Sequence, residues 1–360
     1  MRILCFLPDF GGGGAQRTLI NLSAAFRQAG HDVILAAAQP DGPARAWVDP
    51  QVRTIPVGHG QLRNALFPLA RLIRTERPEV ALSTGLDANL IAVAARALAG
   101  RPRPKLVVRE TNSHRARGDV GMVRQRLTGF AYPRADAVVA LSEGVRRELI
   151  EDYGLSGASV VTIHNPVEFD VLAAVAKDAP PPPLSKGGPW IMGVGRLIRQ
   201  KGFDLLVRAV ADLKRPDATL VLVGEGPDRD ALAAQARDLG VALEMPGFVR
   251  QPMHWLAHAD LFVLSSRWEG FGHVIVEAMA AGAPVIAFDC PHGPRDIIED
   301  RVNGLLVPDG HEPALTAAMA RLLDDRDLGV RLSANAMKDA ARFSSSRITD
   351  QYLKLFSSLK

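Results

Sequence analysis

The sequence predicts an α/β protein built from two doubly wound, Rossmann-like domains that face a cleft. Short apolar runs alternate with helix-like segments along the whole chain, which is typical of parallel sheets covered by helices. With 360 residues, 47% of them hydrophobic, the chain is longer than one ordinary domain and can bury two cores. A proline-rich stretch at residues 180–183, followed by SKGGP, indicates a linker between the domains.

The first domain, predicted over residues 1–168, opens with a strand at residues 2–7, a glycine-rich loop and a helix at residues 15–29. Four consecutive glycines in this loop allow close approach of the backbone to a ligand, although a merely mobile loop fits them as well. The loop lacks the Lys-Ser/Thr pair of a P-loop and the G-x-G-x-x-G of a dinucleotide site. Further strands are predicted at residues 32–37, 52–57, 80–83, 106–109, 137–141 and 160–163.

The second domain, predicted over residues 190–342 after a linker at 169–189, begins with a strand and the loop GRLIRQKG. Its GVG start resembles a dinucleotide fingerprint, but Ile198 stands at the third glycine position. The loop instead carries Arg196 and Lys201, two cations that could stabilise the charge of a departing diphosphate. As isolated residues they would more often be ordinary surface charges.

The stretch at residues 261–288 contains a strand, a loop rich in turn formers, and a helix at residues 273–281 closed by Gly282. Backbone amides at the start of a helix bind anions, so we expect a diphosphate near the helix start. Glu269 on the loop and Glu277 in the helix could then face one ligand, at its sugar and its ribose. A solvated loop charge and a paired helix residue are the alternative. The amides in question belong to Phe271, Gly272, His273 and Val274.

These patterns together resemble the retaining glycosyltransferases of the group 1 or family 4 type, including bacterial enzymes of polysaccharide assembly. Glu269 and Glu277 match the E-x7-E signature of that family, and G-R-L-x-x-Q-K-G matches its donor-phosphate motif. The GGAQR of the first loop is similar to the family's G-G-A-E-R, with Gln16 in place of Glu. The resemblance implies a GT-B architecture, in which a last helix at residues 343–360 crosses back onto the first domain.

The resemblance also implies roles for individual residues. Arg196 and Lys201 would hold the diphosphate and Glu269 the hydroxyls of the donor sugar, and these three are the predicted catalytic residues. Donor-binding contacts are predicted at Gly13, Gly14, Phe248, Val249, Phe271, Gly272, His273, Val274 and Glu277. Many relatives carry a histidine after the fifth strand, where this chain reads RETNSH, and whether Thr111 or His114 fills that role stays open.

We therefore predict transfer of a sugar from a UDP- or GDP-sugar to a hydroxyl of a lipid-linked or polysaccharide glycan, with retention at the anomeric carbon. No D-x-D motif is placed to hold a divalent ion, so we expect neither a metal nor a cofactor. A nucleotide-sugar epimerase of the same architecture and a non-catalytic nucleotide-sugar-binding protein are the alternatives. Each would be distinguished by whether the purified protein hydrolyses or transfers the sugar.

Charge and hydropathy bear on where the protein acts. Between Arg53 and Arg134 there are fifteen Lys or Arg against five Asp or Glu, and residues 61–77 interleave leucines with arginines, as interfacial helices do. Docking on an anionic membrane and a plain solvated surface fit this segment equally, while no nucleic-acid-binding signature accompanies it. The first apolar run is too short for a signal peptide, and Cys5 and Cys290 lack metal-ligand spacing. We expect a cytoplasmic protein that could act at the inner face of the membrane.

Overall fold

The computed structural model describes residues 1–359 except 12, 59, 114, 116, 117, 119, 120, 168–186, 250 and 251. The chain forms two compact units, Met1–Pro166 with Ser345–Lys360, and Val167–Ser344. Each unit contains one sheet of parallel strands with helices packed against it, which confirms the predicted α/β class with two Rossmann-like domains. The predicted linker at residues 169–189 falls almost entirely outside the described residues and stays a prediction.

The sheet of the first unit has seven strands in the order β3-β2-β1-β4-β5-β6-β7. Successive strands of the chain are added on one side of β1 and then, from β4 onward, on the other side. The loops that follow β1 and β4 therefore diverge to opposite faces of the sheet, which makes this the place where ligands bind in such folds. The strands are Arg2–Leu7 (β1), Asp32–Ala37 (β2), Arg53–Pro56 (β3), Val80–Thr84 (β4), Lys105–Glu110 (β5), Ala137–Ala140 (β6) and Val160–Thr162 (β7).

Both faces of this sheet are covered. Along β1, Leu4 and Phe6 join one buried apolar cluster, whereas Ile3, Cys5 and Leu7 join another, because successive side chains of a strand point to opposite faces. The α-helices of this unit are Gly14–Gln28, Leu66–Glu76, Leu86–Leu98, Met122–Ala131, Glu143–Tyr153 and Ser345–Ser358, and its 3-10 helices are Pro43–Trp47, Leu62–Ala65 and Tyr132–Arg134.

The last helix, Ser345–Ser358, belongs to the core of the first unit. Its Tyr352 and Phe356 rings lie 6.1 and 5.5 Å from the ring of Phe26. The fully buried guanidinium of Arg109 donates from Nε to the Tyr352 hydroxyl at 2.9 Å and also bonds the side chain of Asn165. One side chain of β5 thus holds two segments that lie far apart along the chain.

The sheet of the second unit has six strands in the order β10-β9-β8-β11-β12-β13. After β8, the strands β9 and β10 are added on one side of it, and β11, β12 and β13 are added on the other side, so the strand order reverses between β8 and β11. The strands are Trp190–Val194 (β8), Thr219–Val223 (β9), Leu243–Gly247 (β10), Leu261–Leu264 (β11), Val285–Phe288 (β12) and Leu305–Val307 (β13). The α-helices are Phe203–Asp212, Arg229–Asp238, Met253–Leu256, His273–Ala281, Pro294–Ile297, Glu312–Asp324 and Arg326–Ala340, with 3-10 turns at Arg199–Lys201 and Ala341–Phe343.

The interpretation of residues 61–77 as an interfacial helix needs correction. This segment folds into a 3-10 turn and the helix Leu66–Glu76, whose Leu69, Leu72 and Ile73 are buried in the core of the first unit. Its apolar face is therefore already covered by the protein. Pro68 lies in the first turn of this helix, where a missing N–H removes no intrahelical bond.

Within the described parts of the chain, no helix is both long enough and apolar enough to cross a bilayer.

Candidate active site

The predicted catalytic residues of the second unit lie where the strand order of its sheet reverses, between β8 and β11. Arg196 and Lys201 follow β8, and Glu269 follows the neighbouring strand β11. The connections from these two strands leave toward opposite sides of the sheet, so a crevice forms between them at the carboxyl ends. Residues 73 positions apart along the chain, Arg196 and Glu269, are thereby placed on adjacent loops.

The loop after β8 packs directly on the loop after β11. Gly202 has a φ of +61°, and a Cβ at this position would lie 2.0 Å from the carbonyl oxygen of Ser265. Any residue with a side chain would force the two loops apart. The hydroxyl of Ser265 also donates to the carbonyl oxygen of Lys201 at 3.0 Å, so the backbone of Lys201 is held against the end of β11.

Lys201 and Glu269 form the centre of the site. Lys201 Nζ lies 2.5 Å from Glu269 Oε1, and the two side chains are only 17% and 8% exposed. Ser266 Oγ donates to the same Oε1 at 2.7 Å, while Oε2 accepts no hydrogen bond from any described residue. The ammonium has three donors and uses one of them on Glu269, so the pair can still donate to an anion and accept from a hydroxyl.

Arg196 differs from Lys201 in its surroundings. Its side chain is exposed, and its guanidinium has no hydrogen-bond or ion-pair partner among the described residues. The same loop thus offers one cation that is held by a carboxylate and one that is available to a ligand.

The helix His273–Ala281 begins beside Glu269. Gly272 precedes it with a φ of +89°, a conformation that glycine adopts without strain. The first-turn amides of His273 and Val274 point back along the helix axis toward the crevice side of the loop. Glu277, one turn further in, is 5% exposed, and its Oε1 lies 3.6 Å from Nε2 of His273.

A third loop, after β12, supports the second. The backbone N–H of Glu269 donates to the carbonyl oxygen of Pro291 at 3.2 Å, and a Cβ on Gly293 would lie 2.3 Å from the carbonyl oxygen of Phe271. Phe271 is buried and packs edge-on against Phe343, with ring centroids 5.4 Å apart. Its predicted role as a donor contact can therefore involve only its backbone.

Cys290 lies in the loop after β12, and its side chain is buried. Burial raises the pKa of its thiol well above the ordinary value, the Glu269 carboxylate raises this pKa further, and Lys201 opposes the effect. The thiol is consequently protonated at neutral pH. No group of three or more His, Cys, Asp or Glu side chains suited to a metal ion occurs in the described parts of the chain.

Two charged residues that the sequence did not single out hold the loops together. Arg267 donates from Nη1 and Nη2 to the two carboxylate oxygens of Asp204, each at 2.7 Å. This hydrogen bond is the main cause of the lowered pKa of the Asp204 carboxyl. Both residues flank predicted site residues in sequence, but nothing in the sequence states that they meet.

Two of the predicted donor-binding contacts lie further along the same sheet edge. Phe248 and Val249 follow β10, two strands from β8, and the Phe248 side chain is 66% exposed. Between them and β8, Gly224 closes the end of β9, where a Cβ would lie 1.9 Å from the carbonyl oxygen of Gly195. The loops after β8 and β9 are therefore in backbone contact.

Gly13 and Gly14 belong to the first unit, after β1. Their loop is held by Asp9, whose Oδ1 accepts from the Gly11 N–H at 2.7 Å and from Gln16 Nε2 at 3.0 Å. The amide at position 16 is thus compatible with the neighbouring carboxylate, which a glutamate would repel. His114 lies outside the described residues. Whether Thr111 or His114 takes the place of the histidine that many relatives carry after the fifth strand therefore stays open.

Comparison with protein families matches both halves of the chain. Residues 12–171 match the family described as Glycosyltransferase Family 4, and residues 176–339 match Glycosyl transferases group 1.

Among individual relatives, the chain is 30% identical over 356 residues to the lipopolysaccharide core biosynthesis glycosyltransferase LpsE of Rhizobium meliloti, covering 96% of each protein. It is 28% identical over 272 residues to a Campylobacter jejuni N-acetylgalactosamine-N,N'-diacetylbacillosaminyl-diphospho-undecaprenol 4-alpha-N-acetylgalactosaminyltransferase, covering 74% of this chain and 73% of that protein.

Among solved structures, the chain resembles Anabaena HepE in complex with UDP and glucose, with a TM-score of 0.85, 22% identity, and coverage of 99% of this chain and 100% of that one. This likeness confirms the predicted GT-B fold.

Proposed function

Because the chain belongs to the group 1 and family 4 glycosyltransferases, we propose that it moves a sugar from a nucleotide-sugar donor to an acceptor hydroxyl, with retention at the anomeric carbon and without a metal ion. The observation that carries this proposal is the Lys201–Glu269 pair, held 2.5 Å apart where the second sheet reverses direction. The Lys201 ammonium and the N-terminus of the helix His273–Ala281 lie beside the Glu269 carboxylate, whose Oε2 accepts no hydrogen bond from any described residue. Together these groups suit a phosphorylated sugar.

The cations would stabilise the leaving group. As the bond between the anomeric carbon and the phosphate oxygen breaks, negative charge develops on the departing nucleoside diphosphate. Arg196, Lys201 and the first amides of the helix His273–Ala281 would supply positive charge at that position. Such groups stabilise the transition state more than the bound substrate.

Glu269 would orient the sugar. Its Oε1 is occupied by Lys201 and Ser266, which fixes the carboxylate and leaves Oε2 to accept from a sugar hydroxyl. Glu277, buried in the next turn of the helix, would accept from the ribose. We assign neither of them as a nucleophile.

Retention would follow from attack on the same face from which the diphosphate departs. The acceptor oxygen bonds to the anomeric carbon, the carbon–phosphate-oxygen bond breaks, and the proton of the acceptor hydroxyl passes to the departing phosphate oxygen. The products are a glycoside and a nucleoside diphosphate. No protein base is needed for this step.

The relatives support the classes of donor and acceptor. HepE was crystallised with UDP and glucose, which favours a uridine donor over a guanosine one. LpsE acts in lipopolysaccharide core biosynthesis and the Campylobacter protein on a diphospho-undecaprenol glycan, which favours a lipid-linked or polysaccharide acceptor here.

An acceptor of this class would require the enzyme to act at the inner face of the membrane, and one helix of the first unit suits that surface. Met122–Ala131 carries Met122, Val123, Leu127 and Phe130 at 74, 72, 48 and 62% exposure, has two arginines and contains no acidic residue. Arg124 of this helix pairs with Asp87 at 3.2 Å, and the exposed apolar side chains together with Arg126 suit the surface of an anionic bilayer. We therefore propose the helix Met122–Ala131, and not residues 61–77, as the membrane-contacting surface.

The test is a donor panel with the purified full chain. UDP-glucose, UDP-galactose, UDP-N-acetylglucosamine and GDP-mannose are incubated with it, with and without an alkyl glycoside as soluble acceptor, and release of the nucleoside diphosphate is measured. Proton–carbon coupling in the glycoside product reports anomeric configuration, because a glycoside does not mutarotate. We expect slow release from one UDP-sugar without acceptor, and a glycoside with the anomeric configuration of the donor when the acceptor is present. Interconversion of the sugars without release would support an epimerase, and binding without either reaction would support a binding protein.

A further inference from the structure

Arg267 lies two residues before Glu269 and reaches across to the start of the helix that follows Lys201. Its guanidinium contacts both oxygens of Asp204, in the first turn of the helix Phe203–Asp212, through two parallel bonds of 2.7 Å. Two parallel bonds between a planar guanidinium and a carboxylate fix orientation as well as distance. Arg267 and Asp204 are 25 and 37% exposed, so the pair is partly shielded from water.

The same arginine also bonds the backbone between Arg196 and Lys201. Its Nη1 donates to the carbonyl oxygen of Arg199 at 2.8 Å, and its backbone N–H donates to that of Gln200 at 2.8 Å. In return, the Gln200 side chain donates to the carbonyl oxygen of Trp268 at 3.0 Å. Each of the two loops that bring Lys201 and Glu269 together is therefore fixed to the other within two residues of the pair.

We infer that Arg267 and Asp204 are positioning residues that set the distance between Lys201 and Glu269. The inference rests on the proposed function, since it assigns a role in the same site. A catalytic group displaced by about 1 Å can lose roughly a hundredfold in rate, so a fixed connection between these loops has a direct effect on turnover. Lys201 and Glu269 act on the donor, and Arg267 acts through them.

A neighbouring arginine provides a matched control. Arg208 belongs to the same charge cluster, lies 3.7 Å from Asp204, and bonds both oxygens of Glu312 at 2.8 and 3.0 Å. Its hydrogen bonds go to Glu312 and not to the loops after β8 and β11. Arg208→Met therefore removes the same charge and a similar pair of bonds while leaving the connection between the loops in place.

The first measurement does not depend on the donor. Full-length wild type, Arg267→Met, Arg267→Lys and Arg208→Met are treated with acetic anhydride, and the acetylation rate of Lys201 is followed by peptide mass spectrometry. In the wild type the ammonium is held by Glu269 and shielded. Loss of one charge-assisted hydrogen bond corresponds to roughly tenfold, so we expect Lys201 of Arg267→Met to react about tenfold faster. Arg208→Met should react at the wild-type rate and Arg267→Lys at an intermediate one.

The second measurement is UDP release from the UDP-sugar that the wild type uses. We expect Arg267→Met to lose about a hundredfold in kcat with KM changed by less than about threefold, because positioning acts mainly on the transition state. Arg267→Lys should recover part of kcat, and Arg208→Met should retain it.

Several results would overturn the inference. If Lys201 reactivity and kcat of Arg267→Met equal those of the wild type, the Lys201–Glu269 pair is positioned by other contacts. If Arg208→Met shows the same losses as Arg267→Met, Arg267 contributes only to the general stability of the fold. If Arg267→Met does not fold, Gln200→Ala, which removes only the bond to Trp268, should shift both readouts in the same direction; no shift would count against the inference. A wild type that releases no nucleoside diphosphate, with the reactivity pattern as expected, would instead contradict the proposed function alone.

Discussion

Lys201 and Glu269 are 68 residues apart in sequence, yet Lys201 Nζ and Glu269 Oε1 lie 2.5 Å apart with both side chains mostly buried. Removing one partner of a buried ion pair strongly destabilises the folded protein, because the other charge is left buried without compensation. The two cations of the loop after β8 should therefore behave differently when they are substituted.

We expect Arg196→Ala to lower turnover by about a hundredfold or more, the scale of one lost transition-state contact, without changing the free energy of unfolding. Lys201→Ala should lose turnover on the same scale and about 3 kcal/mol of stability as well, because Glu269 stays buried. Urea unfolding and UDP release measure the two effects. Lys201→Met combined with Glu269→Gln should recover most of the stability and none of the turnover. Unchanged turnover in both single variants would remove the cations from the mechanism.

Activity should survive excess EDTA. The proposed leaving-group stabilisation uses side-chain cations and helix amides, so chelation of divalent ions removes nothing from it. UDP release is measured with and without EDTA, after dialysis against the chelator. A loss that magnesium restores would show that the diphosphate is bound through a metal.

Glu277→Gln should weaken binding of UDP by about tenfold or more, whereas Glu269→Gln should spare it and impair use of the intact donor. A charge-assisted hydrogen bond to a hydroxyl contributes about 1.5 to 3 kcal/mol, and the two carboxylates are assigned to different parts of the donor. Calorimetric titration with UDP and with the UDP-sugar separates them. The opposite pattern would mean that the donor lies in the reverse direction.

Acid should weaken the connection made by Asp204. Its carboxyl pKa is lowered in the folded protein, mainly by the hydrogen bond from Arg267, so the folded state binds this proton less readily than the unfolded chain does. The contribution is therefore complete above the unfolded pKa of about 3.9 and is lost as the pH falls below it toward the folded value. Water screens this partly exposed pair, so we expect a change of slope and not a large shift.

The measurement is the free energy of urea unfolding as a function of pH in wild type and Asp204→Asn. Stability of the variant should fall less steeply below about pH 4. Asp324→Asn, which removes an exposed carboxylate of the same unit, is the control and should follow the wild type. Parallel curves for all three proteins would contradict the role given to Asp204.

Membrane binding should depend on the helix Met122–Ala131. Replacing Val123 and Leu127 with serine removes two exposed apolar side chains and should weaken binding to vesicles that contain phosphatidylglycerol by about tenfold or more. Flotation of protein with such vesicles measures it, and pure phosphatidylcholine vesicles should bind little. Val330 and Leu239, which are 69 and 45% exposed on the second unit, provide the matched double variant. Equal loss in both double variants would show general surface stickiness.

Much of the fold follows from local pattern. The predicted strands at residues 2–7 and 32–37 have the bounds that the structure shows, because uninterrupted apolar runs between turn residues have few other solutions. Several other strands differ by a residue or two at their ends, where pairing with a neighbour decides the limit. Fold class, strand positions and the site-bearing loops were thus accessible from the sequence.

Contacts between distant segments were not accessible. Arg267 and Asp204 are separated by 63 residues and look like surface charges in sequence. For residues 61–77 the sequence left membrane docking and a solvated surface open for a related reason, since a helix that packs on a sheet and one that lies on a membrane share the same apolar periodicity. Only burial in the fold separates them.

The bond from Arg109 to Tyr352 has a consequence for how the protein is made on the ribosome. Residues 1–166 emerge first, but the helix that covers Phe26 and bonds Arg109 is translated only after the whole second unit. The second unit, continuous from Val167 to Ser344, can complete its core while the nascent first unit still exposes that apolar surface. Of the two units, the one whose first segment is translated earlier is thus completed later, and chaperones that hold exposed apolar surface would be expected to bind it in the interval.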